Sequence, residues 1–299
     1  MTNANDPADA AHGGLDNLAG IAGRHAIVTG GASGIGAGIT RRLIAEGASV
    51  VVADINDEAG AFFAEQVGGR YVHLDVSDPA AWTTVVDEFG PFDMAFLNAG
   101  ITTHPGIDMT EVGGLPLANL SDADYRRIVG VNLDGVVFGT RAVVPAMCAE
   151  GSGDIIVTAS LAGLVGTAFD PMYGTTKHAV VGFVKSMAPL LEPYGICISS
   201  FNPGFVDTPI LGDDGANRIS ELGLPLLRPG DLGTVAMQVL SERINGAQWV
   251  LWGEPPATPY VWADPLGHLQ ASGVPEALGA LVDPEVASVP ITAVAGESS

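Results

Sequence analysis

Tyr173 and Lys177 stand four residues apart, and Ser160 lies thirteen positions before the tyrosine. On a helix, positions four apart share a face, one turn above the other. Ser160 directly follows the β-type run 154–159 (DIIVTA). The order is therefore strand, hydroxyl at the strand's C-terminal end, loop, helix. A hydroxyl, a phenol and an ammonium can meet there, at one edge of a sheet. A phenol ordinarily loses its proton near pH ~10. A cation one turn away favours the phenolate and lowers that value. The phenol then becomes a usable proton donor and acceptor for an alcohol or carbonyl oxygen, with Ser160 holding the same oxygen. The trio suits proton transfer at a C–OH/C=O centre. It supplies no hydride, so the chemistry needs a cofactor. Tyr-x-x-x-Lys by itself also arises by chance, and the reading depends on whether the rest of the chain builds a cofactor site.

The elements that must position this trio alternate regularly. Strands are predicted at 25–29, 48–54, 71–74, 93–97, 154–159, 196–202 and 248–252, and helices at 37–46, 59–67, 78–89, 122–147, 172–192 and 231–241. The helix over 122–147 carries Asn132 and has room for a bend; Pro189 should end or kink the helix over 172–192. Strands alternating with helices at this spacing give βαβ units and a parallel sheet, an α/β, Rossmann-like, doubly wound fold of three layers. Residues 101–120 form a long polar connection, and 205–228 read as a flexible segment with a short helix. The organisation expected is an N-terminal tail over 1–22, one catalytic domain over 23–253, and a Pro- and Gly-containing extension over 254–299. The extension would form an interface or an active-site cover.

The first predicted strand runs into Thr29-Gly30-x-x-x-Gly34-x-Gly36, and a helix follows. Glycines there let the backbone approach a pyrophosphate, and the N–H groups of the helix start bind the anion. Asp54 ends the second strand, eighteen residues after Gly36. An acid in that place accepts both ribose hydroxyls of an adenosine and repels a 2′-phosphate. The next residue is Ile55, and the glycine turn holds no arginine. NAD(H) is therefore expected over NADP(H).

With these motifs in hand, the chain resembles the short-chain dehydrogenase/reductase family in its single-domain form, over roughly residues 22–253. The matching stretches are 29–36 (TGGASGIG), Asp75-Val76, Asn98-Ala99-Gly100, Asn132, Ser160, Tyr173-x-x-x-Lys177, and Pro203-Gly204 with Thr208. The resemblance implies a set of roles. Gly30, Ser33, Gly34, Ile35 and Gly36 would cradle the dinucleotide, with Asp54 and Ile55 at the adenosine ribose and Asp75 and Val76 at the adenine edge. Asn98, Ala99 and Gly100 would line the cofactor. Pro203, Gly204, Val206 and Thr208 would position the nicotinamide amide. Asn132 would support the lysine through its helix backbone and a water. Ser160 would orient the substrate oxygen, and Tyr173 would be the general acid/base. Lys177 would bind the nicotinamide ribose and acidify the phenol. Leu97 stands where the family usually has a second asparagine, and the chain after Gly253 exceeds the family's common length.

The activity implied is an NAD(H)-dependent interconversion of a secondary alcohol and a ketone. Leu161, Val165, Phe205, Ile210 and Leu211 would give the substrate an apolar lining, suited to an aromatic, terpenoid or steroid-like body. His104 and Asp108 are either further polar contacts or loop decoration. Two other readings compete. A silent NAD(H)-binding regulator should have lost a proton-transfer residue, and all four are present. An epimerase or dehydratase on this fold usually brings a larger C-terminal domain.

Composition narrows the partners. The formal charge is -22, from 12 basic and 34 acidic residues. Nucleic acid and anionic membranes both need a basic face, so neither is expected. Cys148 and Cys197 are far apart and lack metal or redox spacing, so no metal is expected. No apolar run approaches the ~18 residues of a membrane span, and no basic residue or apolar stretch marks a secretory leader before Arg24. A cytoplasmic protein is the expectation. The helices over 122–147 and 172–192 are apolar on more than one face, which points to a homo-oligomer, a tetramer or dimer.

Overall fold

The computed structural model describes residues 20–103 and 116–261. Most of the tail expected over 1–22, the extension beyond Val261, and the loop positions His104 and Asp108 lie outside the described residues.

An eight-stranded sheet forms the middle layer, in the order β10-β9-β6-β5-β4-β1-β2-β3. Its strands are β1 (His25–Thr29), β2 (Ser49–Asp54), β3 (Arg70–His73), β4 (Met94–Leu97), β5 (Gly153–Thr158), β6 (Ile196–Pro203), β9 (Gln248–Leu251) and β10 (Thr258–Pro259). All pairings are parallel except that of β10 with β9. The apolar runs are continuous because both faces are covered. Neighbouring residues on each strand enter opposite cores. Ile27, Val51, Leu97 and Ile155 face α3 (Pro79–Phe89), α5 (Gly135–Glu150) and α6 (Pro171–Leu191). Val28, Val50, Phe96 and Ile156 face α1 (Gly34–Ala45) and α8 (Pro229–Glu242). This period of two places every strand residue without ambiguity of register.

From β1 the chain moves outward to β2 and β3, then returns to β4 on the other side of β1. The connections diverge between β1 and β4, and a crevice opens at the C-terminal ends of those strands. The loops after β1, β4, β5 and β6 all end at this edge, which is why residues spread from 29 to 208 can meet.

Several elements depart from the sequence expectation. Helix α1 begins at Gly34, so the last glycines of the turn are already helical. The helix expected over 122–147 runs from α4 (Asp122–Val129) through a π turn, Gly130–Asp134, into α5, and so contains a bulge at Asn132. Pro189 does not end α6 early: Leu190 and Leu191 follow it in the helix, which stops at Glu192. The segment 205–228 is ordered: β7 (Phe205–Val206) pairs in parallel with β8 (Leu226–Leu227), enclosing the short helix α7 (Gly215–Glu221). Beyond Gly253 the chain adds β10 to the sheet, and Pro259 on this edge leaves no N–H for a further strand. One helical run, Asp122–Glu150, is long and apolar enough by length and composition to cross a bilayer, with a mean hydropathy of 1.3. Asp134 and Arg141 interrupt this run, so it contains no uncharged stretch near the length of a bilayer span. In the fold, Val136, Val143 and Met147 of this run pack into the core under the sheet.

Candidate active site

At the β1/β4 crevice, the backbone is bound together by side chains that span strands. Thr29 Oγ1 accepts from the N–H groups of Asn98 (2.9 Å) and Ala99 (3.1 Å). Asn98 Nδ2 donates to the Thr29 carbonyl at 3.0 Å, while its Oδ1 accepts from Thr158 Oγ1 at 3.0 Å. One amide thus ties the ends of β1, β4 and β5. Leu97, which takes the place of a second asparagine, is buried in the core.

Gly36 sits where no side chain fits. A Cβ there would lie 2.1 Å from the Gly30 carbonyl oxygen and 2.8 Å from Asn98 Nδ2. At Gly34, with φ of 48°, a Cβ would meet Thr208 at 2.9 Å. The turn is therefore packed backbone-to-backbone and held open as a cradle. Ser33, at the N-cap of α1, makes no side-chain capping bond, and the first turn holds no acid. Free N–H groups at a helix start attract a phosphate. Asp54 lies beside this cradle: Oδ2 accepts from Ala32 N–H at 3.1 Å and Oδ1 from Asn56 N–H at 3.0 Å. Asp75 is engaged by Ser77 through N–H (2.9 Å) and hydroxyl (2.7 Å), both on Oδ1. Replacing Gly36 by Ala should displace Gly30 and weaken dinucleotide binding by at least about 100-fold, checked by NADH fluorescence titration; an unchanged Kd would show that the cradle does not hold the cofactor.

A single cavity of about 590 Å³ runs from this cradle to the tyrosine. Gly30, Ser33, Gly34, Ile35, Asn98, Ala99, Gly100, Ser160, Tyr173, Lys177, Pro203, Gly204, Val206 and Thr208 line it. Gly36, Asp54, Ile55, Asp75, Val76 and Asn132 do not. Gly36 lies behind the turn, Asp54 is bonded to the turn at Ala32 N–H, Ile55 is exposed, and Val76 is buried against Gly135.

Tyr173 and Lys177 project from the first turns of α6. The phenol stands close enough to the Ser160 hydroxyl for the two to interact. Ser160 Oγ also accepts from Ala162 N–H at 3.1 Å, which fixes its direction. Lys177 Nζ donates to the Thr158 carbonyl at 2.7 Å and lies 5.6 Å from the centre of the Tyr173 ring. The π turn aims Asn132 at two neighbours. Its Nδ2 donates to the Ile101 carbonyl (2.9 Å) and to Thr176 Oγ1 (3.1 Å), and its Oδ1 accepts from Ile101 N–H (2.8 Å). Thr176 Oγ1 in turn donates to the Tyr173 carbonyl at 2.8 Å. Asn132 therefore steadies the helix backbone under the tyrosine and makes no direct bond to the lysine. Extra residues inserted into a helix turn recur at functional sites because they re-aim a side chain.

The electrostatics reverse one sequence expectation. The Tyr173 phenol is pushed up, not down. Burial is the main cause; the neighbouring Ser160 hydroxyl opposes it and the Asp170 charge adds to it. Burial also brings the Lys177 ammonium down to about 8. The lysine points at a carbonyl rather than at the phenol oxygen, and desolvation of the phenolate outweighs its field.

The sequence matches the family described as short chain dehydrogenase over residues 24–218. The chain belongs to the short-chain dehydrogenase/reductase family. It is thus an oxidoreductase of the kind that works on CH–OH and C=O carbons with a nicotinamide cofactor. It is 42% identical over 196 residues to a 3-alpha-(or 20-beta)-hydroxysteroid dehydrogenase of Mycobacterium tuberculosis, covering 64% of this chain and 72% of that one. It is 32% identical over 253 residues to an NADP-dependent (R)-specific alcohol dehydrogenase of Lentilactobacillus kefiri, covering 78% and 96%. Among solved structures, a 3-ketoacyl-(acyl-carrier-protein) reductase from Brucella melitensis complexed with NADH superposes with a TM-score of 0.69 at 28% identity, over 78% of this chain and 98% of that one.

In this short-chain dehydrogenase all five apolar positions singled out from the sequence, Leu161, Val165, Phe205, Ile210 and Leu211, lie on the cavity wall. The structure adds Ile101, Phe169, Arg127 and Trp252. Trp252 is 49% exposed and tilts against Phe205, with ring centres 6.3 Å apart. It follows the core strand β9 directly, and a tryptophan at a strand's C-terminal end of this sheet is the signal that would have found it. Asp170 was also missed. Asp-Pro ahead of an apolar helical run is an N-cap and N1 signal, but starting the helix at Met172 hid it.

Proposed function

We propose that this chain is an NAD(H)-dependent dehydrogenase that interconverts a secondary alcohol and a ketone carried on an apolar body. The observation that carries the reading is the Tyr173 phenol, beside Ser160, in the wall of the same cavity as the glycine cradle. The cradle at Gly30–Gly36, whose tight glycines and uncapped helix start suit a pyrophosphate, fits a dinucleotide. Asn98, Gly100 and Lys177 would hold its nicotinamide half, with Pro203, Val206 and Thr208 opposite. When bound, the nicotinamide supplies the hydride acceptor or donor.

The chain's own residues handle the proton. Ser160 orients the substrate oxygen. In oxidation, Tyr173 as phenolate takes the hydroxyl proton; the O–H bond breaks and the C=O bond forms as hydride leaves carbon. Reduction reverses this, with the phenol as donor. Lys177 and Asn132 hold the helix, the ribose and the phenol in register. The apolar wall from Leu161, Val165 and Phe205 to Trp252 supports a bulky apolar substrate, as does the hydroxysteroid name of the mycobacterial relative.

Asp54 favours NAD(H), and the family contains NADP-dependent members such as the Lentilactobacillus relative. The test is a panel of secondary alcohols with each dinucleotide. Turnover is expected with NAD+ on steroid-like and terpenoid alcohols and not on charged sugars. Replacing Asp54 by Ser should raise the NADP+/NAD+ ratio of kcat/KM at least about tenfold by removing like-charge repulsion. An unchanged ratio would remove Asp54 from the cofactor site.

A further inference from the structure

Asp170 takes no part in the reading above. The residue is 9% exposed and stands at the N-cap of α6. Oδ1 accepts from Tyr173 N–H at 3.0 Å and from the Thr103 hydroxyl at 2.6 Å; Oδ2 accepts from Thr103 N–H at 2.9 Å. The Thr103 carbonyl then accepts from Arg127 Nη2, on α4, at 2.8 Å.

An N-cap needs one acceptor, and a serine or asparagine supplies it as well as an acid does. A buried carboxylate is costly unless its oxygens are satisfied. Here the additional bonds go to a segment 67 residues away in sequence. That segment leaves β4, and its residues Ile101 and Thr102 form the cavity wall. The helix that carries the phenol and the wall that faces the substrate are therefore clamped by one side chain.

We propose that Asp170 is a positioning residue for the reaction assigned above: it locks the Tyr173 backbone to the Ile101–Thr103 wall and sets the negative field at the phenol. The proposal rests on the dehydrogenase reading for its catalytic part only. The groups facing the phenol are Lys177 on its own helix, Asp170 at the cap, and Ser160 after β5. Arg127, on α4, is the other cation on the described cavity wall. The Asp170 charge acts in the same sense as burial, against the phenolate.

The experiment compares wild type with Asp170→Asn and Asp170→Ala, each also made with Tyr173→Phe. Ultraviolet absorbance of tyrosinate, taken as the difference between each protein and its Tyr173→Phe partner, isolates this one phenol. In Asp170→Asn the amide oxygen keeps the bonds from Tyr173 N–H and the Thr103 hydroxyl, the charge is lost, and the amide nitrogen, a donor, cannot accept from Thr103 N–H. Its phenol should titrate at a lower pH than in wild type, and the pH profile of kcat/KM for alcohol oxidation should move the same way. Asp170→Ala loses the clamp as well, and its kcat should fall about tenfold below that of Asp170→Asn. NADH affinity should stay within about twofold in both. A phenol titration that does not move in Asp170→Asn overturns the field role, and a kcat in Asp170→Ala equal to that of wild type overturns the clamp. If Asp170→Asn does not fold, Thr103→Val tests the clamp: kcat should fall with NADH binding kept, and an unchanged kcat overturns it. The absorbance titration reads the phenol without turnover, so a failure of the dehydrogenase reading is distinguishable from a failure of this one.

Discussion

Replacing Tyr173 by Phe should lower turnover by about 10³-fold while leaving NADH affinity within about threefold of wild type. The substitution removes one oxygen. The ring keeps its place on α6, because the Asp170 cap bonds the Tyr173 backbone N–H and Thr176 bonds its carbonyl. Among the described residues the phenol oxygen loses only its interaction with Ser160, so stability should change by less than about 1 kcal/mol. What disappears is the group that carries the proton. Steady-state kinetics with a turned-over alcohol, beside a fluorescence titration with NADH, separates the two effects. Turnover within tenfold of wild type would falsify the assignment of Tyr173 as acid and base.

Lys177→Met should have the second large effect, and of opposite sign on activity and on stability. Lys177 is 3% exposed, and burial brings its ammonium down to about 8. Its bond to the Thr158 carbonyl offsets only part of that cost. Methionine has similar length and no charge to desolvate. The variant should lose about 100-fold in turnover and gain about 1–2 kcal/mol in stability at neutral pH, discounted for the lost carbonyl bond. The sign of the pH dependence follows. Between about 8 and the ordinary lysine value near ~10.4, the unfolded wild type binds a proton that the folded protein does not. Wild-type stability contributed by this group therefore rises with pH across that window. The advantage of the Met variant is complete below about 8 and gone at the upper end. Urea midpoints at neutral and alkaline pH measure it; a variant less stable than wild type at neutral pH would show that the ammonium stabilises the fold.

The strands were legible because both faces of the sheet are covered, so runs such as 50–53 and 94–97 are apolar without interruption. The glycine turn and Tyr-x-x-x-Lys were legible because their meaning is local: a turn between strand and helix, and two positions one helical turn apart. Elements stabilised only by distant partners were not. β7 and β8 are two residues each and exist through one another across 19 intervening positions. β10 exists because β9 offers an edge. Trp252 reaches the cavity because the loop after β6 brings Phe205 beside it. The π turn at Asn132 has no periodic signature, since an apolar helix reads the same with one extra residue in a turn.

From residue types and spacing alone came the chemistry of the site: a phenol, an ammonium and a hydroxyl beside a phosphate-binding turn. Those are covalent properties of side chains and short-range geometry, and they survive without coordinates. The tertiary structure alone decided in which direction the phenol's proton affinity moves. That direction depends on how much water the surrounding walls exclude and on where Lys177 and Asp170 point. Both follow from packing between segments far apart in the chain, and no local pattern encodes them.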